Sequence, residues 1–273
     1  MAPTLAQRHL PRPARDWAEI QERMLVPLYE AVYERFEVGR HSHVLGLGCG
    51  SGLALVMAAA RGATVTGTDT DEARLELARQ RLLPEPQWGA RHWTARVLPG
   101  GPDGGPDGAA LREGPPPTLV TAFDTLPDAA VLARVAQTAG RGVPVVLAGW
   151  GPAERCAAAP ALRVAQRLAQ RPAEPERAPG RCWRPGGRDD LEDLARRAGL
   201  RPDGSGRVAC PFGYADLDSA VRGLLSTGLY DAAVRATDEE QVAKELAEAL
   251  RPHVRPDGTV WMQNLFRYVV AMT

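Results

Sequence analysis

The stretch Val44-Leu45-Gly46-Leu47-Gly48-Cys49-Gly50-Ser51-Gly52 decides how this chain is read. Glycine occupies every second position from Gly46 to Gly52, directly behind a short apolar run. A second apolar run, residues 53–60, follows at once and is compatible with a helix. The pattern is a strand, a tight turn and a helix start. Without Cβ atoms, the turn lets backbone come close to a ligand. The helix start beyond it offers free N–H groups to a polar or anionic group.

Spacing narrows the ligand. The dinucleotide fingerprint is G-x-G-x-x-G. Counted from Gly46, its third glycine would fall at Ser51; counted from Gly48, at Leu53. Both frames fail, which disfavours a nicotinamide-dependent reductase. The chain has G-x-G-x-G instead. Further on, residues 63–69 (ATVTGTD) read as the next strand, ending in Asp69. That acid lies one βα unit past the glycine loop, where Rossmann-like folds place a carboxylate on ribose hydroxyls. A carboxylate accepts two hydrogen bonds from a cis-diol. Thr70 or Asp71 can then cap a helix over 72–82.

This combination resembles the first motif of class I S-adenosylmethionine-dependent methyltransferases. Residues 47–52, Leu-Gly-Cys-Gly-Ser-Gly, match without gaps in the frame written V-L-D-x-G-C-G-x-G. In that frame the family's acidic residue falls at Gly46; in the other frame it falls at Leu45. Either way the acid is missing. The segment LVTAFDTL at 119–126 looks like the family's strand-four motif. Gly199-Leu200 and the run NLFRY at 264–268 look like the tail of its small-molecule members. The resemblance implies S-adenosyl-L-methionine as cofactor, held by Gly46, Gly48, Cys49, Gly50, Ser51, Gly52, Asp69, Thr70 and Phe123. It also implies a seven-stranded sheet whose last strand is antiparallel.

Alternation of strands and helices independently argues a doubly wound, mostly parallel sheet with helices on both faces. The strands are expected at 44–47, 64–68, 92–97, 118–123, 143–148, 208–212 and 260–272. Residues 17–36 carry apolar side chains at helical spacing, with Pro27 expected to break them into two pieces. They form an expected N-terminal helical cap. Residues 1–14 read as a flexible head and 15–273 as one domain. Residues 152–188, dense in Arg, Ala and Pro, read as a lid inserted after strand five, with a helix near 161–170.

With 33 basic and 33 acidic residues among 273, no global field draws the chain to nucleic acid or an anionic membrane. The arginines from Arg163 to Arg188 are interrupted by Glu174 and Glu176, and no aromatic stacking pattern runs through them. They read as a solvated surface, not an RNA patch. No long apolar span is present. The four cysteines, Cys49, Cys156, Cys182 and Cys210, form no C-x-x-C pair, so neither zinc nor a disulfide framework is indicated, and a reducing cytoplasm is the default. The expected partner is a small-molecule methyl acceptor, with no nucleic acid or membrane; a homodimer stays open.

The reaction is expected to be methyl transfer to oxygen or nitrogen of a small molecule, such as a secondary metabolite. The alternative is a methyltransferase-like protein that binds the cofactor but regulates, or runs another reaction such as a cyclisation. No catalytic signature stands out. The candidates are Asp124, at the carboxyl end of strand four; His43, with His41 and His92, as a base; and Trp150 and Tyr214, aromatics beside strand ends.

Overall fold

The computed structural model describes residues 10–84, 93–100, 114–123, 125–169 and 189–273. Seven strands form the main sheet: β1 (His43–Leu47), β2 (Thr64–Asp69), β3 (Ala95–Pro99), β4 (Leu119–Ala122), β5 (Pro144–Trp150), β6 (Arg201–Ala209) and β9 (Leu265–Met272). Their order is β3-β2-β1-β4-β5-β9-β6. The strands β1 to β5 run parallel, and β9 is antiparallel to both β5 and β6.

The pleat sorts the core into two layers. On β1, Val44 joins one apolar cluster, with α2 (Val26–Arg35) and α3 (Leu53–Ala60). Leu45 and Leu47 point the other way, into a cluster with α5 (Ala129–Ala139) and α7 (Asp190–Arg197). Both faces are therefore helix-covered, which is why β1 and β4 are buried at every position. Capping sets the helix starts. Asp71 accepts from the Arg74 N–H at 3.2 Å to open α4 (Glu72–Leu82), and Asp128 accepts from the Val131 N–H at 2.8 Å to open α5. Gly140, at φ 89°, closes α5.

Several boundaries differ from the sequence reading. Helix α1 (Arg12–Asp16) begins inside the segment read as a flexible head. The expected break at Pro27 comes earlier: a wide π turn (Trp17–Gln21) and a 3-10 turn (Glu22–Leu25) precede α2, and Pro27 sits in its first turn, where a missing N–H costs nothing. The final strand divides. Val260–Met262 (β8) leaves the main sheet and pairs with β7 (Phe212–Tyr214). Gln263 and Asn264 make the break because their backbones serve other loops: the Gln263 carbonyl accepts from Ala157 N–H and the Asn264 carbonyl from Cys210 N–H. The strand expected at 208–212 is likewise two strands, β6 and β7.

The segment read as a lid contains α6 (Ala159–Ala169), whose Ala161, Leu162, Val164 and Ala165 are buried in the main core. It packs on α9 (Asp231–Ala236) and α10 (Glu239–Leu250), leaving Arg163 and Arg167 exposed. This part is a core element. Ahead of it, Ala153–Arg155 form a 3-10 turn, while residues 170–188, with the remaining arginines and Cys182, lie outside the described residues, as does His92. No described helix is long and apolar enough to cross a membrane.

Candidate cofactor site

Strand order reverses between β1 and β4, so the loops leaving their carboxyl ends diverge around a crevice, where open α/β sheets bind ligands. Three left-handed glycines shape the turn there: Gly48 at φ 63°, Gly50 at φ 55° and Gly52 at φ 83°. A Cβ on Gly48 would lie 2.5 Å from Thr125 Cβ, so the loops after β1 and β4 meet at a position that tolerates only hydrogen. Gly52 opens α3 with no side-chain cap, which leaves the first N–H groups of that helix without a side-chain partner.

Asp69 ends β2 and is 8% exposed. Its Oδ2 accepts from the Gly50 N–H at 2.7 Å and its Oδ1 from the Asp71 N–H at 2.9 Å. Each carboxylate oxygen has a further lone pair. The sequence reading places Asp69 on a ligand; what the fold shows is Asp69 organising the glycine loop. Cys49 N–H is tied to the Thr68 carbonyl at 2.9 Å, and the Gly52 N–H to the Cys49 carbonyl at 3.0 Å. Thr70 is exposed beside Asp69 at the mouth of the crevice. Phe123, one residue past β4, is buried and packs on Tyr29 and Tyr33 of α2, with ring centroids at 4.9 and 6.0 Å. Tyr33 also donates to the Ala54 carbonyl in the first turn of α3, at 2.9 Å. The N-terminal segment thus lies over the glycine-loop helix.

Gly46 pairs with Gly67 across β1 and β2. The Leu55 side chain covers both: a Cβ on Gly46 would meet Leu55 Cδ2 at 3.0 Å, and one on Gly67 would meet Leu55 Cδ1 at 2.5 Å. The place where the resembling family carries an acid is filled by an aliphatic group from α3.

Two charged residues absent from the sequence reading touch the loop. The Ser51 hydroxyl donates to a Glu22 carboxylate oxygen, and Arg81 Nη1 bridges the other Glu22 oxygen, at 2.5 Å, and the Ser51 carbonyl, at 3.0 Å. Burial pushes the Glu22 carboxyl above its usual range, against the pull of Arg81 and Ser51. Their separations in sequence, 29 and 59 residues, leave no local pattern that could have found them.

The catalytic candidates are not brought together. His43 opens β1, roughly 13 Å from the strand's other end at ~3.3 Å per residue. Its ring is held by Thr66 Oγ1 at 2.9 Å and the Pro116 carbonyl at 3.3 Å, and burial lowers its pKa. Trp150 is core, edge-on to Phe212 and tilted against Phe266, with ring centroids at 5.5 and 4.5 Å. Tyr214 is buried, its hydroxyl donating to Gln21 Oε1 at 2.9 Å, and burial raises its pKa far above the phenol range. Asp124 lies outside the described residues. Beside the crevice, a cavity of about 450 Å³ runs between Asp71 and Arg74 on one side and Arg222, Ser226, Tyr230 and Arg235 on the other. Its volume suits a small molecule.

Residues 44–110 match a family model described as a methyltransferase domain. No curated protein sequence matches the chain. Among solved structures, the cyclopropane synthase MmaA2 from Mycobacterium tuberculosis aligns with a TM-score of 0.55 at 12% identity, covering 97% of this chain and 95% of that one. The YcgJ protein from Bacillus subtilis aligns at 0.54 and 14% identity, covering 90% and 97%. The cyclase SpnF aligns at 0.50 and 12% identity, covering 90% and 80%. At these identities the likeness is one of fold.

Proposed function

We propose that the chain is a class I S-adenosylmethionine-dependent methyltransferase that transfers the cofactor's methyl group to oxygen or nitrogen of a small molecule. One observation carries this reading. The left-handed glycine turn at the sheet's switch point is braced from behind by Asp69 and opens onto an uncapped helix start. Such a turn fits a cofactor that needs close backbone approach and hydrogen-bond donors.

The residues present suit S-adenosylmethionine. The spare lone pairs of Asp69 would accept the ribose hydroxyls, with Thr70 beside them. Gly48, Cys49, Gly50, Ser51 and Gly52 would give the cofactor's chain a surface of backbone. Phe123 would wall the crevice on the β4 side. Bound there, the cofactor supplies a methyl group on a sulfonium, which is already electrophilic. The protein's task is then to hold an acceptor atom in line and keep water out. This reading assigns no base: His43 is at the far end of β1, and Tyr214 and Trp150 are built into the core. The 450 Å³ cavity against Asp71 and Arg74 is the candidate acceptor site. Titration calorimetry with S-adenosylhomocysteine tests the reading, which expects a saturable heat. No heat at high micromolar protein would end it.

A second reading, cofactor binding without methylation, is favoured by Leu55 filling the place of the family's acid at Gly46. A methylated product, seen as a mass shift on any acceptor, would dispose of it.

A further inference from the structure

We propose that Glu22 is a positioning residue that couples the N-terminal cap to the cofactor loop through Ser51 and Arg81; the proposal rests on the cofactor reading above.

Ser51 sits between Gly50 and Gly52, both left-handed. Glycine is permissive there, and the loop is held on either side of Ser51 by the Gly50 N–H to Asp69 and the Gly52 N–H to the Cys49 carbonyl. The clamp adds a tie on Ser51 itself. Ser51 is fully buried, its hydroxyl donating to Glu22 and its carbonyl accepting from Arg81 at 3.0 Å. Arg81 also holds the second Glu22 oxygen at 2.5 Å, closing a ring of three groups. The ring joins the 3-10 turn of the N-terminal segment, the glycine loop and α4. Glu22 is buried while Arg81 is partly exposed, and such a pair adds little net stability, because desolvation of the carboxylate opposes the attraction. What this ring supplies is relative position.

Local winding explains how one segment reaches two partners. The π turn Trp17–Gln21 passes directly into the 3-10 turn Glu22–Leu25, so the number of residues per turn changes between Gln21 and Glu22. Gln21 is thereby aimed at Tyr214, at 2.9 Å, and Glu22 at Ser51. The same segment continues into α2, whose Tyr29 and Tyr33 cover Phe123. A shift of the loop therefore requires a shift of the cap, and the coupling acts equally in both directions.

The test compares wild type with Glu22→Gln by amide hydrogen exchange and by calorimetry with S-adenosylhomocysteine. Without ligand, exchange across residues 48–52 should rise about tenfold in the variant, a result independent of whether the cofactor reading holds. Loop exchange unchanged from wild type overturns the proposal. With ligand, Kd should weaken about tenfold. At saturation, residues 12–25 should gain protection in wild type and not in Glu22→Gln. Equal gains in both proteins overturn the coupling, since a merely structural role for Glu22 would leave them equal. If wild type binds no S-adenosylhomocysteine, the function reading fails, and the exchange data without ligand still decide the clamp. If Glu22→Gln does not fold, Ser51→Ala opens the same ring from the other side and is read by the same criteria.

Discussion

Replacing Gly48 by alanine separates two costs that the turn imposes. An L-residue at φ 63° costs roughly 1–2 kcal/mol in backbone strain alone. The new methyl would also lie 2.5 Å from Thr125 Cβ and 2.9 Å from its Oγ1. Carbon atoms pack at about 3.5–4.0 Å, so Thr125 must retreat by about 1 Å. Overpacking of this kind costs about 1–3 kcal/mol. The sum is about 2–5 kcal/mol. Gly199→Ala is the control: φ is 77° at the left-handed end of α7, with nothing within 4 Å of the added Cβ, so it carries the backbone cost alone. In a Thr125→Gly background the Cβ clash disappears and Thr125 Cα would remain at an ordinary 3.5 Å. There, Gly48→Ala should cost no more than Gly199→Ala. Urea denaturation of the five proteins gives each value, and the double-mutant cycle gives the coupling. The reasoning fails if Gly48→Ala matches Gly199→Ala to within about 0.5 kcal/mol, or if its cost is the same in both backgrounds.

Three further outcomes are expected. Asp69→Asn turns an acceptor into a donor facing either the Gly50 or the Asp71 N–H, a loss of about 1–3 kcal/mol, so S-adenosylhomocysteine affinity should fall about 5–150-fold by calorimetry. Gly46→Asp should destabilise by about 3 kcal/mol or more in urea, because a carboxylate would be forced against Leu55 inside a fully buried strand; Leu55→Ala should recover part of that loss. His43 has a folded pKa below its unfolded 6.5, so the unfolded state binds more protons in that window. Its contribution is complete above pH 6.5 and lost as pH falls through the folded pKa, and His43→Gln should flatten that part of the stability–pH curve.

Much of the site was legible because its determinants are local. Alternate glycines, an apolar run before them and Asp69 one unit later lie within 26 residues, and each acts on near neighbours in sequence. The helix start at Asp71 was readable for the same reason. What escaped is long-range. Glu22 reads as one more polar position on an amphipathic segment, yet it is 3% exposed because Ser51 and Arg81 arrive from elsewhere. The wide turn at Trp17–Gln21 keeps the apolar spacing nearly helical, so periodicity alone could not separate it from α-helix. Trp150 and Tyr214 lie near strand ends and look available for a ligand, but the β7–β8 strand pair and the cap bury them, and that pair, distant in sequence, depends on the break at Gln263 and Asn264. The helix α9 is six residues long, too short for a periodic signal.

The position of β9 has a consequence in time. It lies between β5 and β6, pairing Pro144 with Met272 on one side and Ala209 with Leu265 on the other. Neither neighbour can reach the other without it. Five strands from β3 to β5 can assemble in parallel as soon as residue 150 is available, while β6 has nowhere to dock until more than fifty further residues have followed it. Docking β9 on β5 joins Pro144 to Met272, a far longer reach along the chain than Val44 to Leu119 between β1 and β4, and contacts of such separation form late and slowly. The cofactor crevice, built wholly from the early strands and the N-terminal segment, can take shape before the sheet is whole.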